Sequence, residues 1–384
     1  MPNYSGIWTR TQQMQAIAAG TWAASPGAPT SVTAGAGNAS ASVAFTAPDA
    51  GLPATITGYT VTSSPGGFTG TGASSPITVS GLSNGTAYTF TVTATNASGT
   101  GPASAASNSV TPVVPIAATF LLVGGGGPGG ATPFGGGGGG GGGAGGLLYY
   151  GSEAPKTPNG SAINIFPGTT YTITVGAGGT GSAAGGTNVK GTNSVVSGSG
   201  FTTLTAFAGG RGGGDPGSGG DLSGGSGGGE YTGTTGSVAG QGNNGGTGGG
   251  STAFSGGGGG GAGAAGAQGS SGGSGVGGAG LSYSITGSPT NYAGGGGAAG
   301  RSFTASGGSG VGGNGATTGS GGAGQVNRGG GGGAGCDVSS GNGGSGVVIL
   351  RSASTAVSTT GSPTVTTISG DKVYLFSSSG SITF

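Results

Sequence analysis

Phe120-Leu121-Leu122-Val123-Gly124-Gly125-Gly126-Gly127 opens a tract that Ser345-Gly346-Val347-Val348-Ile349-Leu350-Arg351 closes, and between them lie most of the chain's 110 glycines. Glycine is unbroken from Gly135 to Gly143. The apolar ends read as buried strands, and further strand-like runs recur inside and after the tract. Thr170–Val175 alternates strictly, and Phe201–Phe207, Thr364–Ile368, Lys372–Phe376 and Ser381–Phe384 carry the same β-branched and aromatic character. The expectation is one sheet-based framework whose first and later strands are separated by a large glycine-rich insertion.

Two states of the insertion are open. Glycine loses more backbone entropy on folding than any other residue, so isolated polyglycine stays disordered. Packed side by side as left-handed helices of three residues per turn, glycine segments can bond laterally, helped by weak Cα–H···O contacts. Flexible loops between strands are the other state. A strict Gly-X-Y repeat is missing, which removes collagen. Breaks at Asp215-Pro216, Gln241–Asn244, Ser288–Asn291 and Cys336–Val338 are the expected turns between packed rods.

Composition narrows the function. Charged residues make up 4% of the 384 residues and the net charge is +1, so no field exists to hold nucleic acid or an anionic membrane. No apolar run is long enough to span a bilayer as a helix, and no membrane insertion is expected. The chain has no histidine, the commonest general base and metal ligand. Its seven acidic residues are spread widely. Asp215, Asp221 and Glu230 are the nearest approach to a carboxylate or Ca²⁺ cluster and read better as solvated turn residues. Gly-x-Gly-x-x-Gly recurs from composition alone and says nothing of dinucleotides. No enzyme activity, metal or cofactor is expected. The single cysteine, Cys336, excludes an intrachain disulfide.

Upstream, Thr9–Ala19 has helix-favouring residues with Gly20 placed as a cap. Residues 1–24 form an N-terminal arm, and Ile7, Trp8, Met14, Ile17 and Trp22 are the candidates for docking it onto a larger assembly. Residues 25–113 alternate at Ser42–Thr46, Ile56–Val61, Ile77–Val79 and Tyr88–Thr93, the pattern of a β-sandwich. Gly81-Leu82-Ser83-Asn84-Gly85-Thr86-Ala87-Tyr88-Thr89-Phe90 resembles the corner region of a fibronectin type III domain. Leu82 and Tyr88 stand for that family's corner leucine and tyrosine, and Phe45 stands where the family carries tryptophan. The resemblance implies a β-sandwich used as a spacer.

Residues 114–384 form the glycine-rich β domain, so the fold class is mainly β. Phe120–Gly127, Tyr171–Gly179, Gln241–Gly250, Gly278–Gly287 with Tyr292-Ala293-Gly294, and Gly343–Arg351 resemble blocks of a glycine-rich domain of tail-fibre and other virion proteins of phages, particularly those of marine cyanobacteria. The ending Val373–Phe384 and the opening Tyr4–Thr9 with Gln15–Trp22 are similar to the ends of such proteins. Some phage adhesins pack polyglycine helices in a distal domain and recognise receptors through the tip loops.

The resemblance implies a virion-located tail fibre or adhesin, docked on other virion proteins through the arm. It implies a homo-oligomer, most naturally a trimer, associating through apolar strands such as 118–123 and 372–376. A capsid decoration or head fibre, and a bacterial surface adhesin, are the alternatives. Met1–Gly6 lacks a basic segment leading into an apolar core, so no secretory leader is expected. That favours the virion over an exported adhesin. Contacts to a host glycan or protein are expected from side chains that interrupt glycine: Tyr231, Phe254, Tyr283, Tyr292, Arg301, Phe303, Arg328 and Asp337.

Overall fold

The computed structural model describes residues 9–18, 24–51, 55–132, 138–153, 159–214, 223–230, 236–249 and 255–384. The chain divides into two compact units, Met1–Pro115 and Ile116–Phe384.

In the first unit a short helix, α1 (Arg10–Ala18), is opened by a reciprocal cap. The Gln12 amide donates to Thr9 Oγ1 at 3.3 Å, and the Thr9 amide donates to Gln12 Oε1 at 2.9 Å. This Thr-x-x-Gln box satisfies two amides that a helix start leaves orphaned. Then come β1 (Thr30–Ala36), β2 (Ser40–Thr46), β3 (Ile56–Ser64), β4 (Thr69–Gly72), β5 (Ile77–Ser80), β6 (Thr89–Asn96) and β7 (Gly99–Thr100). They form two antiparallel sheets, β1-β2-β5 and β4-β3-β6-β7, closed on Val43, Val61, Val79, Leu82, Phe90 and Val92. This is the sandwich that the corner motif implied. Tyr88 is buried, and its hydroxyl accepts the Ser83 amide at 3.1 Å, tying the corner back on itself. Phe45 fills its smaller site by tilting against Tyr59, ring centroids 4.8 Å apart.

The second unit contains β8 (Ile116–Val123), β9 (Ala131–Thr132), β10 (Leu147–Tyr150), β11 (Asn159–Gly160), β12 (Ile163–Ile165), β13 (Thr170–Thr174), β14 (Ser194–Gly198) and β15 (Phe201–Ala206). After a long glycine stretch follow β16 (Leu281–Tyr283), β17 (Thr290–Tyr292), β18 (Gly335–Cys336), β19 (Val347–Ser352), β20 (Ser358–Thr360), β21 (Thr364–Ile368), β22 (Asp371–Phe376) and β23 (Gly380–Thr383). The framework is two sheets. One runs β11-β10-β8-β19-β22-β21, with β12 also on β8, and the other runs β15-β14-β13-β23-β20. Strict alternation assigns each side chain to a face. Phe120, Leu122, Val348, Leu350, Tyr374 and Phe376 meet Tyr171, Ile173, Val196, Leu204 and Ile382 of the second sheet. The opposite face, with Leu121, Val123, Leu147, Tyr149, Ile349 and Val373, is covered by Tyr283, Ile285 and Tyr292 of the β16–β17 hairpin.

β8 and β19, the ends of the glycine tract, are therefore paired neighbours, with Val347 opposite Val123. From that seam the glycine segments run outward as packed rods. Segment 138–146 shows the rule. Gly140, Gly143 and Gly146 donate to the carbonyls of Gly213, Gly210 and Phe207. Gly141 and Ala144 donate to Gly257 and Gly260, while Gly142 and Gly145 donate to Gly332 and Gly329. These N···O distances lie between 2.7 and 3.0 Å. Carbonyls of the same segment accept from 124–130, from 224–230 and from 293–300. Every third residue faces the same neighbour, which is the repeat of a left-handed three-residue helix. The rod donates to three neighbours and accepts from three others, so its sides are enclosed by six. Packed glycine helices, not flexible loops, make up the described insertion.

Close approach explains the glycine. A methyl on Gly141 would be driven into the carbonyl oxygen of Gly296, and one on Gly142 into that of Gly127. Pro128 is admitted within 124–130 because its fixed φ suits this helix and its carbonyl still accepts from Gly212 at 2.8 Å.

The expectation that strands 118–123 and 372–376 drive self-association does not hold. β8 lies between β10 and β19, and β22 between β19 and β21, so their apolar side chains are consumed inside the unit.

Gly141→Ala is expected to cost about 3 kcal/mol, because a rigid backbone on both sides prevents relaxation. Gly273→Ala, whose methyl meets nothing within 4 Å, should stay within about 0.5 kcal/mol of the parent protein. Urea unfolding of the two variants measures the contrast. Tyr88→Phe, which removes the acceptor of the Ser83 amide, should lower the stability of the sandwich by about 1 kcal/mol in the same measurement.

Candidate functional site

Each rod's register fixes which end of it meets the sheets. Residues 124, 146, 207 and 346 adjoin β8, β10, β15 and β19. Residues 130, 140, 213, 257 and 299 lie toward the opposite, far end, as the bonds Gly130 to Gly140, Gly140 to Gly213, Gly141 to Gly257 and Ala299 to Gly139 require. With a rise of about 3.1 Å per residue, segment 138–146 separates the two ends by on the order of 25 Å.

Among the described residues, the turns at the far end carry several side chains that interrupt the glycine. Segment 293–300 turns through Arg301 and Phe303, closed by the Gly300 amide on the Phe303 carbonyl at 2.8 Å. Phe303 is 37% exposed there, and Arg301 is also exposed. Segment 329–336 turns at Asp337, which adopts φ 62° and donates its amide to the Thr132 carbonyl at 3.0 Å. Val338 follows at 48% exposure, and its carbonyl accepts from Ala184. The turn near Gly319 joins the same group through its bridge to Cys336. Backbone bonds thus tie neighbouring tips together, leaving the side chains of Phe303, Val338, Arg301 and Asp337 directed off a fixed base.

The eight expected contact residues divide. Arg301, Phe303 and Asp337 are brought to the far end. Tyr231 and Phe254 lie outside the described residues. Tyr283, Tyr292 and Arg328 stand at the sheet end; burial of the two tyrosines corrects the reading of them as contacts, whereas Arg328 is half-buried. Tyr283 is fully buried and stacks on Tyr149 with centroids 4.4 Å apart. Tyr292 is 2% exposed, with the Arg328 guanidinium 5.4 Å above its ring. Burial pushes both tyrosine hydroxyls up from their ordinary pKa. They are the means by which the hairpin adheres to the sheet. Val338 and Val189, both largely exposed, were missed because lone valines beside glycine carry no motif.

Of the docking residues, Met14 is 67% exposed on α1. Ile7, Trp8, Trp22 and the Ile17 side chain lie outside the described residues. Asp215 and Asp221 do too, while burial raises the pKa of Glu230. Among the described residues no group of three or more His, Cys, Asp or Glu could hold a metal ion. Among them also no helix is long and apolar enough to cross a membrane. Cys336 is buried beside Ala299 and Ala334, and burial raises its thiol pKa, so it stays protonated.

Residues 27–110 match the fibronectin type III domain family, and residues 104–353 match the family described as the glycine-rich domain. Among solved structures, a crystal structure of titin domains is 24% identical, over 24% of this chain and 34% of that chain, with a TM-score of 0.23. The FN1-FN3 domains of chicken CNTN1 are 14% identical, over 48% of this chain and 52% of that chain, with a TM-score of 0.22. The chain thus spans about a third of the titin segment and about half of the CNTN1 segment. No curated protein matches the chain.

Tyr283→Ala should cost about 3–5 kcal/mol in urea unfolding, as a large-to-small change in a core does. Phe303→Ala should change stability by less than about 1 kcal/mol.

Proposed function

The chain belongs to the glycine-rich domain family, and from that membership and the turns at the far end of its array we propose that it is a phage virion structural protein, a tail fibre or adhesin that contributes to recognition of the host surface. The observation that carries the reading is the enclosure of segment 138–146 by bonded neighbours. Such a lattice packs backbone against backbone, and segment 138–146 leaves no room beside it for a ligand. What it offers is stiffness, which reduces the entropy lost when its tip side chains engage a partner.

The resemblance of the glycine blocks to phage virion proteins supports the same reading. So does the scarcity of charge, since salt at marine concentration screens surface ion pairs almost completely. The fibronectin type III domain serves as the spacer and the N-terminal arm as the attachment to other virion proteins. The chain works as a homo-oligomer, and a host surface glycan or protein is the partner at the tips.

Purified chain added to host cells before the phage that encodes it should slow adsorption, and the double variant Arg301→Ala, Phe303→Ala should slow it less. If neither slows adsorption, host recognition falls and a structural role is left. Immunogold labelling of intact virions should mark the tail. Gold on the capsid would instead make the chain a head fibre or decoration protein.

A further inference from the structure

Charge is so scarce in this chain that a place where it gathers carries information. Of eight basic and seven acidic residues, three line one cleft of about 410 Å³ at the sheet end of the second unit. Glu153, Arg351 and Asp371 meet there with the hydroxyl side chains of Thr119, Ser152 and Ser284. The volume lies within the roughly 300–1,000 Å³ usual for small-molecule sites.

The sheet builds the cleft. Thr119 on β8 and Arg351 on β19 are cross-strand partners, and Asp371 begins β22 alongside. All three share the face that carries Leu121, Ile349 and Val373 further up, where the hairpin covers it. Below the hairpin the face turns polar and open. Arg351 Nε donates to Asp371 Oδ2 at 2.9 Å, with the two side chains 25% and 34% exposed. The Ser284 amide donates to both Glu153 oxygens at 3.0 Å, which fixes that carboxylate on the hairpin side. Ile285 and Tyr149 supply an apolar edge.

We propose that this cleft binds a neutral polyhydroxylated ligand, a single pyranose residue presenting vicinal hydroxyls. The ion pair engages one oxygen of Asp371, and Arg351 otherwise makes only a 3.4 Å contact from Nη2 to the Ile368 carbonyl. Asp371 Oδ1 and Arg351 Nη1 therefore have no hydrogen-bond partner among the described residues. One is an acceptor only and the other a donor only. A hydroxyl both donates and accepts, so adjacent hydroxyls can satisfy the pair together. Two carboxylates against one guanidinium disfavour an anion, and among the described residues no three His, Cys, Asp or Glu gather that could hold a metal ion. This site lies at the opposite end of the array from the tip turns and does not depend on them for its chemistry.

Saturation-transfer NMR on the full chain with the methyl α-glycosides of glucose, galactose, mannose and N-acetylglucosamine tests the assignment. At least one glycoside should receive saturation. Asp371→Asn should weaken its binding by about tenfold, the loss of one charge-assisted hydrogen bond. Ser152→Trp, which fills the exposed mouth, should abolish it, with unchanged thermal unfolding confirming the fold. No transfer to any of the four, transfer undiminished in both variants, or calorimetric binding of Ca²⁺ in place of the glycosides would overturn the proposal. Slowed phage adsorption with no glycoside binding would remove this site alone and leave the tip reading standing.

Discussion

Lateral hydrogen bonds between glycine backbones are the constraint on which the second unit depends. Ordering a residue's backbone costs about 1–2 kcal/mol, and glycine sits at the upper end. One lateral N–H···O bond per residue returns about 0.5–1.5 kcal/mol, and a Cα–H···O contact about 0.5–1 kcal/mol. The balance is close to zero, so a single rod has no stability of its own. It becomes ordered only when enclosed, as 138–146 is, and when its ends are fixed elsewhere. The apolar seam of β8, β10 and β19 supplies that fixing, and the rods issue from it directly at Gly124, Gly146 and Gly346.

The two faces of the larger sheet show how the framework and the array support each other. One face is closed by the second sheet, much as in any sandwich. The other is closed by the β16–β17 hairpin, which itself lies between rods 275–280 and 293–300. The hairpin is thus a return from the array onto the framework, and Tyr283 and Tyr292 are its adhesive residues. Both would have been free for recognition had the chain not folded back at that point.

Sequence disclosed those parts in which side chains encode the structure. Strands alternate, and the run from Leu82 to Tyr88 is a local motif, so the first sandwich and most strands of the second unit could be read directly. The existence of packed rods could be argued from glycine alone, but their arrangement could not. Glycine has no side chain to mark which neighbour a segment will meet or in which direction it will run. Segment 255–263 runs parallel to 138–146, whereas 207–213 and 329–336 run antiparallel to it, and nothing in those stretches distinguishes them. At the tips, Arg301, Phe303 and Asp337 were legible as interruptions of glycine. Tyr283 and Tyr292 interrupt it equally, and only their return to the sheet separates them. The meeting of Glu153, Arg351 and Asp371 was invisible, because more than two hundred positions of chain separate the first from the last.

The repeat of three has a consequence for how such a domain changes over generations. Within a rod, the residue number modulo three decides which neighbour each amide addresses. Gaining or losing three residues extends or shortens a rod by one turn and keeps every address. A change of one or two residues rotates the remainder of the rod, so that each later amide points between its former partners. Length variation of arbitrary size is then confined to the turns. Such a molecule keeps an unvarying interior grammar while the phrases at its surface are rewritten freely, with the lattice itself acting as the filter on which rearrangements survive.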